Sequence, residues 1–168
     1  MHVFSILRNK PALVGIGLAA ILAALPAGLA SAGTATTTFQ VTATVQATCL
    51  ISATDLAFGT YSGTQVDATS TITVTCTATT PWNIGLNAGT CGSSVTTRCM
   101  KSFGPALYYA LYRDAARTLN WGNTVGTDTL SGTGTGNAQN STVYGRVAGS
   151  QFPPPGLFTD TITATVTF

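Results

Sequence analysis

The last eight residues, Thr161-Ile162-Thr163-Ala164-Thr165-Val166-Thr167-Phe168, alternate threonine with an apolar side chain. A period of two places all the apolar members on one face of a β-strand. These members are Ile162, Ala164, Val166 and Phe168. A second strip with the same alternation lies nearer the start of the chain, and its apolar members are Phe39, Val41, Ala43 and Val45. An open strand edge invites pairing with another chain, so both strips are candidates for an assembly site.

The two strips have two interpretations at this point. They could pair with each other and close an ordinary sandwich, or each could pair with another molecule. Periodicity favours neither interpretation over the other.

The first 32 residues predict a cleaved secretory signal. A short basic segment precedes an apolar run over residues 12–25, and the small residues Ala30-Ser31-Ala32 end it. This run is shorter than the roughly 20 apolar residues that cross a bilayer, so we expect no stable membrane insertion after the signal is removed. Cleavage between Ala32 and Gly33 leaves one domain, residues 33–168.

Composition argues against most enzymatic and nucleic-acid functions. The chain has seven Lys and Arg, five Asp and Glu together, and one His. The signal contains Arg8, Lys10 and His2, so the remainder is neutral and has no imidazole for general base, triad or metal chemistry. We therefore expect no nucleic-acid partner, no cofactor and no metal.

Two enzymatic hypotheses remain to be weighed. A glycosidase could use Asp114 and Asp160, but that chemistry needs a sugar cleft and one carboxyl with a raised pKa. Five scattered aspartates in a small sandwich offer little of either. The glycines of residues 132–136 could suggest a phosphate loop, but the strand–loop–helix context is missing. We predict that the protein is not an enzyme.

Short alternating segments separated by turn residues predict an all-β sandwich of about seven strands. The predicted strands are residues 39–49, 56–61, 70–77, 82–86, 107–112, 143–147 and 161–168. Residues 114–117 are too short for a helix and predict a turn, and residues 122–140 predict a long loop.

Four cysteines in an exported chain predict two disulfides, for which three connectivities exist. Proximity in the sequence favours Cys49–Cys76 and Cys91–Cys99. A zinc site is the alternative, but no CxxC pair is present.

Several polar and aromatic side chains have a structural and a binding interpretation. Asp114 and Arg117 could form a binding pair, although stabilisation of a turn is the simpler role. Trp82 and Trp121 could form a sugar platform, although packing in the core is simpler for Trp82.

An ordered set of segments resembles the spore coat protein U family. The segments are residues 55–61 (DLAFGTY), 107–118 (LYYALYRDAART), 121–123 (WGN), 143–147 (VYGRV) and 156–168 (GLFTDTITATVTF). They span nearly all of the chain after the signal. The family includes subunits of archaic chaperone–usher pili of Gram-negative bacteria, and some members are named for a coat around dormant cells.

The resemblance implies an incomplete immunoglobulin-like β-sandwich of six to seven strands that is completed by donor-strand complementation. The implied partners are a periplasmic chaperone, an outer-membrane usher and neighbouring subunits of the same or another kind. The implied location is the periplasm and then a fibre at the cell surface. The implied function is a structural subunit that supports adhesion or biofilm formation. A spore or cyst coat protein and a carbohydrate-binding adhesin with the same sandwich are the alternatives.

The resemblance gives each strip an expected role. Residues 33–47 would form the donor extension, with Phe39, Val41, Ala43 and Val45 as its apolar side chains, and the C-terminal strip would form an edge of the acceptor groove. Alternatively, residues 34–39 alone donate and residues 41–49 stay as the first strand. Residues 34–38 contain no large apolar side chain, which favours a donor that includes Phe39 and Val41. The pair Cys91 and Cys99 is not part of the pattern that the family shares.

Overall fold

The computed structural model describes residues 32–168. The chain divides into two units, Met1–Thr42, of which residues 32–42 are described, and Ala43–Phe168. The predicted signal lies outside the described residues except for Ala32, which is exposed. Within residues 32–168 there is no helix long and apolar enough to cross a bilayer.

Eight strands lie in the unit Ala43–Phe168. They are β1 (Cys49–Ala53), β2 (Val66–Cys76), β3 (Pro81–Leu86), β4 (Arg98–Met100), β5 (Leu107–Tyr112), β6 (Leu130–Thr133), β7 (Ala138–Val147) and β8 (Ala164–Thr167). All strand pairs are antiparallel. One sheet has five strands in the order β1-β2-β7-β5-β4, and the other has three in the order β6-β3-β8.

The core lies between the two sheets and is built from the inward-facing residues of alternating strands. The five-stranded sheet supplies Ile72, Val74, Cys76, Leu107, Tyr109, Leu111, Val143 and Val147, and β3 supplies Trp82, Ile84 and Leu86. This arrangement confirms the predicted all-β, immunoglobulin-like sandwich.

Both tryptophans belong to this core, which excludes them as an exposed sugar platform. Trp82 is 5% exposed and Trp121 is fully buried. The Trp121 indole Nε1–H donates to the carbonyl oxygen of Ile84, 2.8 Å away. A buried indole normally finds such an acceptor.

Two disulfides are present. Cys49 and Cys76 are directly opposite each other in the pairing of β1 with β2, with their Cα atoms 4.1 Å apart. Cys91 and Cys99 close a short loop that ends in β4.

The prediction of one long loop over residues 122–140 was wrong, and β4 was also missed. The segment contains β6 and the beginning of β7. Both β4 and β6 have four residues or fewer, which is too short for an alternating pattern to be recognised. In β6, Gly132 lies opposite Trp82, and a Cβ at this position would collide with the indole. Gly132, one of the glycines that suggested a phosphate loop, is therefore required by the packing of Trp82 against β6.

Two segments that were predicted as strands are largely not strands. Of the predicted strand 39–49 only Cys49 lies in a strand, β1, and residues 56–61 have no strand assignment, although the side chains of both segments alternate. In the second segment Leu56 and Phe58 point to the core, with exposed neighbours between them. In residues 56–61 the alternation reflects one buried face, but no neighbouring strand pairs with the backbone of these residues.

Candidate functional site

One edge of the three-stranded sheet is formed by β8, which pairs only with β3. The Asn87 amide donates to the carbonyl oxygen of Thr163 at 3.1 Å, so the backbone of Thr163 faces β3. Antiparallel pairing alternates along a strand, so the N–H and C=O groups of Ala164 and Val166 face away from β3. This side of β8 is an unpaired edge.

The facing edge of the five-stranded sheet is β1, which pairs only with β2. Thr54 N–H donates to the carbonyl oxygen of Thr71 and Thr77 N–H to that of Thr48, at 2.9 and 3.0 Å. By the same alternation, the backbone groups of Ile51 face away from β2. Among residues 32–168, the sandwich therefore has two free strand edges on one side of its core.

A groove opens into the core where β1 ends and β8 begins, with Ala53 and Ala164 at its border. Its first part, of about 430 Å³, runs between residues 53–58 and residues 158–164, with Ile72, Leu111 and Val143 among the residues that line it. Its second part, of about 830 Å³, continues between residues 56–63 and residues 151–158. Both parts share four lining residues, Leu56, Phe58, Met100 and Phe158.

The lining of the groove is mainly apolar. Six apolar residues of the lining pack against the core but are only half-buried: Leu56, Phe58, Met100, Phe158, Ile162 and Ala164. Gly145 of β7 lies beneath the first wall, and a Cβ there would stand 2.9 Å from both Leu56 and Phe58. The groove therefore combines exposed core side chains with unpaired backbone edges, which are the two features that bind an extended peptide.

One carboxylate, Asp160, is built into the wall just before β8. Its Oδ1 accepts hydrogen bonds from Thr90 N–H, Thr90 Oγ1 and Thr161 N–H at 2.6–2.8 Å. Its Oδ2 accepts the Tyr109 hydroxyl at 2.7 Å. Burial opposes ionisation of Asp160, but these hydrogen bonds outweigh it and lower its pKa. Burial, reinforced by the bond to Asp160, raises the pKa of Tyr109.

A fully buried arginine stands behind this wall. Arg98 donates to four carbonyl oxygens, those of Leu86, Asn87, Val95 and Trp121, at 2.7–3.0 Å. Burial lowers the pKa of its guanidinium, and the charges of Tyr109, Asp128 and Asp160 oppose this shift. Arginine suits this position because its planar head presents five donors in a fixed geometry.

The structure places the predicted site residues as follows. Ile162, Ala164 and Val166 face the core beside the groove, and Phe168 is 55% exposed. Ala43 is exposed, and the large side chains of the N-terminal strip are 86%, 82% and 84% exposed at Phe39, Val41 and Val45.

The polar pairs that the sequence suggested are not brought together as binding or catalytic pairs. The Asp114 carboxylate accepts from the amides of Thr118 and Leu119 and stabilises a turn. Arg117 forms its ion pair with Asp67 instead, at 3.5 Å. Asp114 and Asp160 belong to separate hydrogen-bond networks, so the glycosidase pair has no support in the geometry. Within residues 32–168 no cluster of three potential metal ligands occurs.

Sequence reasoning missed most of the groove lining. Leu56, Phe58 and Phe158 lay in segments noted for their pattern, and the alternation of Leu56 with Phe58 was a usable signal. Met100 and Asp160 gave no such signal, because their neighbours in the groove are distant in the sequence.

Comparisons with known proteins agree on one family. The sequence model of the Spore Coat Protein U domain matches residues 35–165. Protein U of Myxococcus xanthus is 35% identical over 178 residues, which cover 95% of this chain and 98% of that protein. A chain in the crystal structure of a chaperone–tip adhesion subunit pre-assembly complex, from archaic chaperone-usher Csu pili of Acinetobacter baumannii, is 27% identical with a TM-score of 0.57. That match covers 74% of this chain and 40% of the solved chain.

Proposed function

The chain belongs to the Spore Coat Protein U domain family, and from this membership we propose that it is a structural subunit of a secreted surface fibre of the chaperone–usher type. The fibre would support adhesion or biofilm formation. Each subunit would receive an extended segment of a neighbour in its groove and donate its own N-terminal extension to the next. Contacts repeated head to tail do not close, so they propagate a fibre.

The groove between β1 and β8 is the single observation that carries this proposal. A strand inserted there would form hydrogen bonds with the free edge of β8 and cover the half-buried core side chains at the same time. An ordinary closed sandwich also has free strand edges, but it covers its core side chains. The groove is therefore the proposed acceptor site.

Residues 33–47 are the proposed donor segment. Phe39, Val41 and Val45 are spaced two or four residues apart, so a strand would present them to one side. All three are more than four-fifths exposed. Burial of each would contribute about 1.5–3 kcal/mol before the costs of ordering are subtracted.

The proposed partners and location follow from the same mechanism. A subunit with an open groove needs a periplasmic chaperone to cover it, and the solved neighbour is part of a chaperone–tip adhesion subunit complex. An outer-membrane usher would then export the subunit to the cell surface. Removal of residues 1–32 as a secretory signal is the proposed first step.

A coat protein is the second candidate function. The description of the family and the similarity to Protein U favour it. The groove and the donor segment would serve a coat polymer in the same way as a fibre, so the two candidates differ in the location of the product. Electron microscopy of intact cells separates them, because a pilus projects from the surface and a coat encloses it.

Peptide complementation tests the proposal. The chain is purified after export to a bacterial periplasm, and a synthetic peptide of residues 34–47 is added. We expect the peptide to raise the melting temperature by several degrees and to suppress polymer formation, because it fills the groove. A monomer that melts cooperatively and is unaffected by the peptide would contradict the proposal.

Val41→Asp provides the matched control, because it places a charge on the face that the donor must bury. As a peptide, the variant should not raise the melting temperature. In the full chain it should stop polymer growth, while the variant chain still accepts the wild-type peptide. Normal polymers from the variant chain would show that the donor is assigned to the wrong residues.

A further inference from the structure

The loop closed by Cys91 and Cys99 lies next to the end of β3, the strand that holds β8. Arg98, which precedes Cys99, connects the loop to the core through its side chain, in addition to the pairing of β4 with β5. Its guanidinium donates to the carbonyl oxygens of Leu86 and Asn87, at 3.0 and 2.8 Å. The buried guanidinium of Arg98 therefore fastens the loop to the end of β3.

Asn87 continues this connection to the strand that forms the groove edge. Its backbone N–H donates to the carbonyl oxygen of Thr163, at 3.1 Å. Its side-chain Oδ1 accepts the Thr163 N–H at 2.9 Å and the Gly89 N–H at 3.1 Å. The residue that precedes β8 is thus bound on both its N–H and its C=O by a residue that Arg98 holds.

Thr90, which precedes Cys91, makes a second connection. It donates both its N–H and its hydroxyl to Asp160, at 2.7 and 2.6 Å. Asp160 in turn accepts the hydroxyl of Tyr109 from the floor of the groove. A Cβ on Gly89 would collide with the Asp160 carboxylate, so the backbone must approach closely here.

The segment before β8 is also held by Lys101, which exchanges two backbone hydrogen bonds with Thr159, at 3.0 and 3.1 Å. Beyond these connections and the packing of Ile162, Ala164 and Val166 against the core, β8 has little support. It has four residues, pairs with one neighbour and leaves its second edge free. A short disulfide loop has few conformations, so Thr90 and Arg98 are held in the positions from which they reach Asp160 and Asn87.

From this geometry we infer that the Cys91–Cys99 loop is a clamp that positions β8, and that it sets the strength with which the groove holds an inserted strand. Thr90, Arg98 and Asp160 are positioning residues of the clamp. The second part of this inference rests on the proposed function, and the first part does not.

The test uses the full chain after export, with Cys91→Ser and Cys99→Ser combined as one variant. Thr90→Val is the second variant, because it retains the disulfide and removes only the hydroxyl that binds Asp160. Thr96→Ala is the matched control in the same loop, because the Thr96 side chain contacts Ser94 and not the groove wall. Two quantities are measured, amide hydrogen exchange for each strand and the dissociation constant of the 34–47 peptide.

We expect the amides of Thr163, Thr165 and Thr167, which face β3, to exchange about tenfold faster in the double variant, with a smaller increase for Thr90→Val. Amides in the pairing of β2 with β7 should keep their wild-type rates, as should all amides of the control. The peptide should bind the double variant about tenfold more weakly.

Three outcomes would overturn the inference. Unchanged amide hydrogen exchange in β8 would show that the loop does not position this strand. An equal increase in every strand would show that the loop contributes only general stability. Faster amide exchange in β8 with an unchanged dissociation constant of the peptide would show that the clamp positions β8 but does not set the affinity of the groove. If the wild-type chain binds no peptide, the proposed function fails, whereas the exchange rates still decide whether the clamp exists.

Discussion

Tyr109 donates its hydroxyl to Asp160 across an oxygen–oxygen distance of 2.7 Å, and this bond joins the two sheets at the floor of the groove. Tyr109 belongs to β5 of the five-stranded sheet, whereas Asp160 precedes β8 of the three-stranded sheet. The Tyr109 ring also meets Phe58 edge to face, with centroids 5.9 Å apart. One tyrosine therefore contacts both walls of the groove.

Replacement of Asp160 should remove part of the acid sensitivity of the fold. The folded state lowers the pKa of this carboxyl, so its contribution to stability is present above the unfolded value of about 3.9 and is lost as pH falls through the folded value. Asp160→Asn should melt below wild type at pH 7, and the difference should shrink toward pH 2. Calorimetry at several pH values between 2 and 7 measures this difference in melting temperature.

Thr90→Val serves as the matched control for that titration. It leaves the Asp160 carboxylate in place but removes one of its donors, so its pH profile should lie between the other two. If Asp160→Asn and wild type lose stability in parallel down to pH 2, Asp160 does not contribute to the acid sensitivity.

Tyr109 should make the fold sensitive to alkali. Burial and the bond to Asp160 raise its pKa in the folded state, so its contribution is present below the unfolded value of about 10 and is lost as pH rises beyond it. Tyr109→Phe should be less stable than wild type at pH 7 but should lose less stability between pH 9 and pH 11. Identical slopes in urea titrations over this range would contradict the expectation.

The all-β architecture could be predicted because its long strands have strict period-two patterns. The C-terminal strip shows this best, since Ile162, Ala164 and Val166 face the core and the threonines between them are exposed. An alternating pattern indicates which face of a segment is buried, but it does not indicate whether another strand forms hydrogen bonds with the backbone of that segment. For that reason residues 56–61 were predicted as a strand, although the structure leaves them unpaired beside the groove.

The polar part of the site could not be predicted from the sequence. Arg98 is an arginine in a Ser/Thr-rich segment, and such residues are almost always exposed unless they are paired. Asp160 binds Tyr109 and Thr90, which lie 51 and 70 residues away in the chain. Local sequence patterns do not indicate contacts between residues so far apart in the chain, so these contacts become visible only in the three-dimensional structure.

The Cys49–Cys76 disulfide should contribute more stability than the Cys91–Cys99 disulfide. A crosslink that closes a longer loop removes more entropy from the unfolded chain, and the sequence separations are 27 and 8 residues. Replacement of the first pair by serine should cost about 3–4 kcal/mol, and of the second about 2.5 kcal/mol. Urea unfolding of both double variants checks this order, and a larger loss for the second pair would contradict it.

Gly145→Ala should disturb the first wall of the groove. The new Cβ would stand 2.9 Å from Leu56 and Phe58, so both side chains must shift away from the sheet. Overpacking of this kind costs about 1–3 kcal/mol. Thr142→Ala, on the exposed face of the same strand, is the control and should stay within about 0.5 kcal/mol of wild type. Equal stability of the two variants would show that the wall can move freely.

Arg98→Lys should destabilise the fold although it conserves the charge. The guanidinium spans four carbonyl oxygens on different segments, whereas a lysine ammonium has three donors at one point. At least one of the four carbonyls must lose its partner, and each such loss costs about 1–3 kcal/mol, so the variant should lose at least about 1 kcal/mol. Arg146→Lys at a half-buried position is the comparison: it loses part of the two-pronged ion pair with Asp67 but leaves no buried carbonyl without a donor, so it should lower the urea midpoint less than Arg98→Lys does. A small effect of Arg98→Lys would mean that water or a shifted loop replaces the missing donors, and the loop would then be less rigid than its contacts imply.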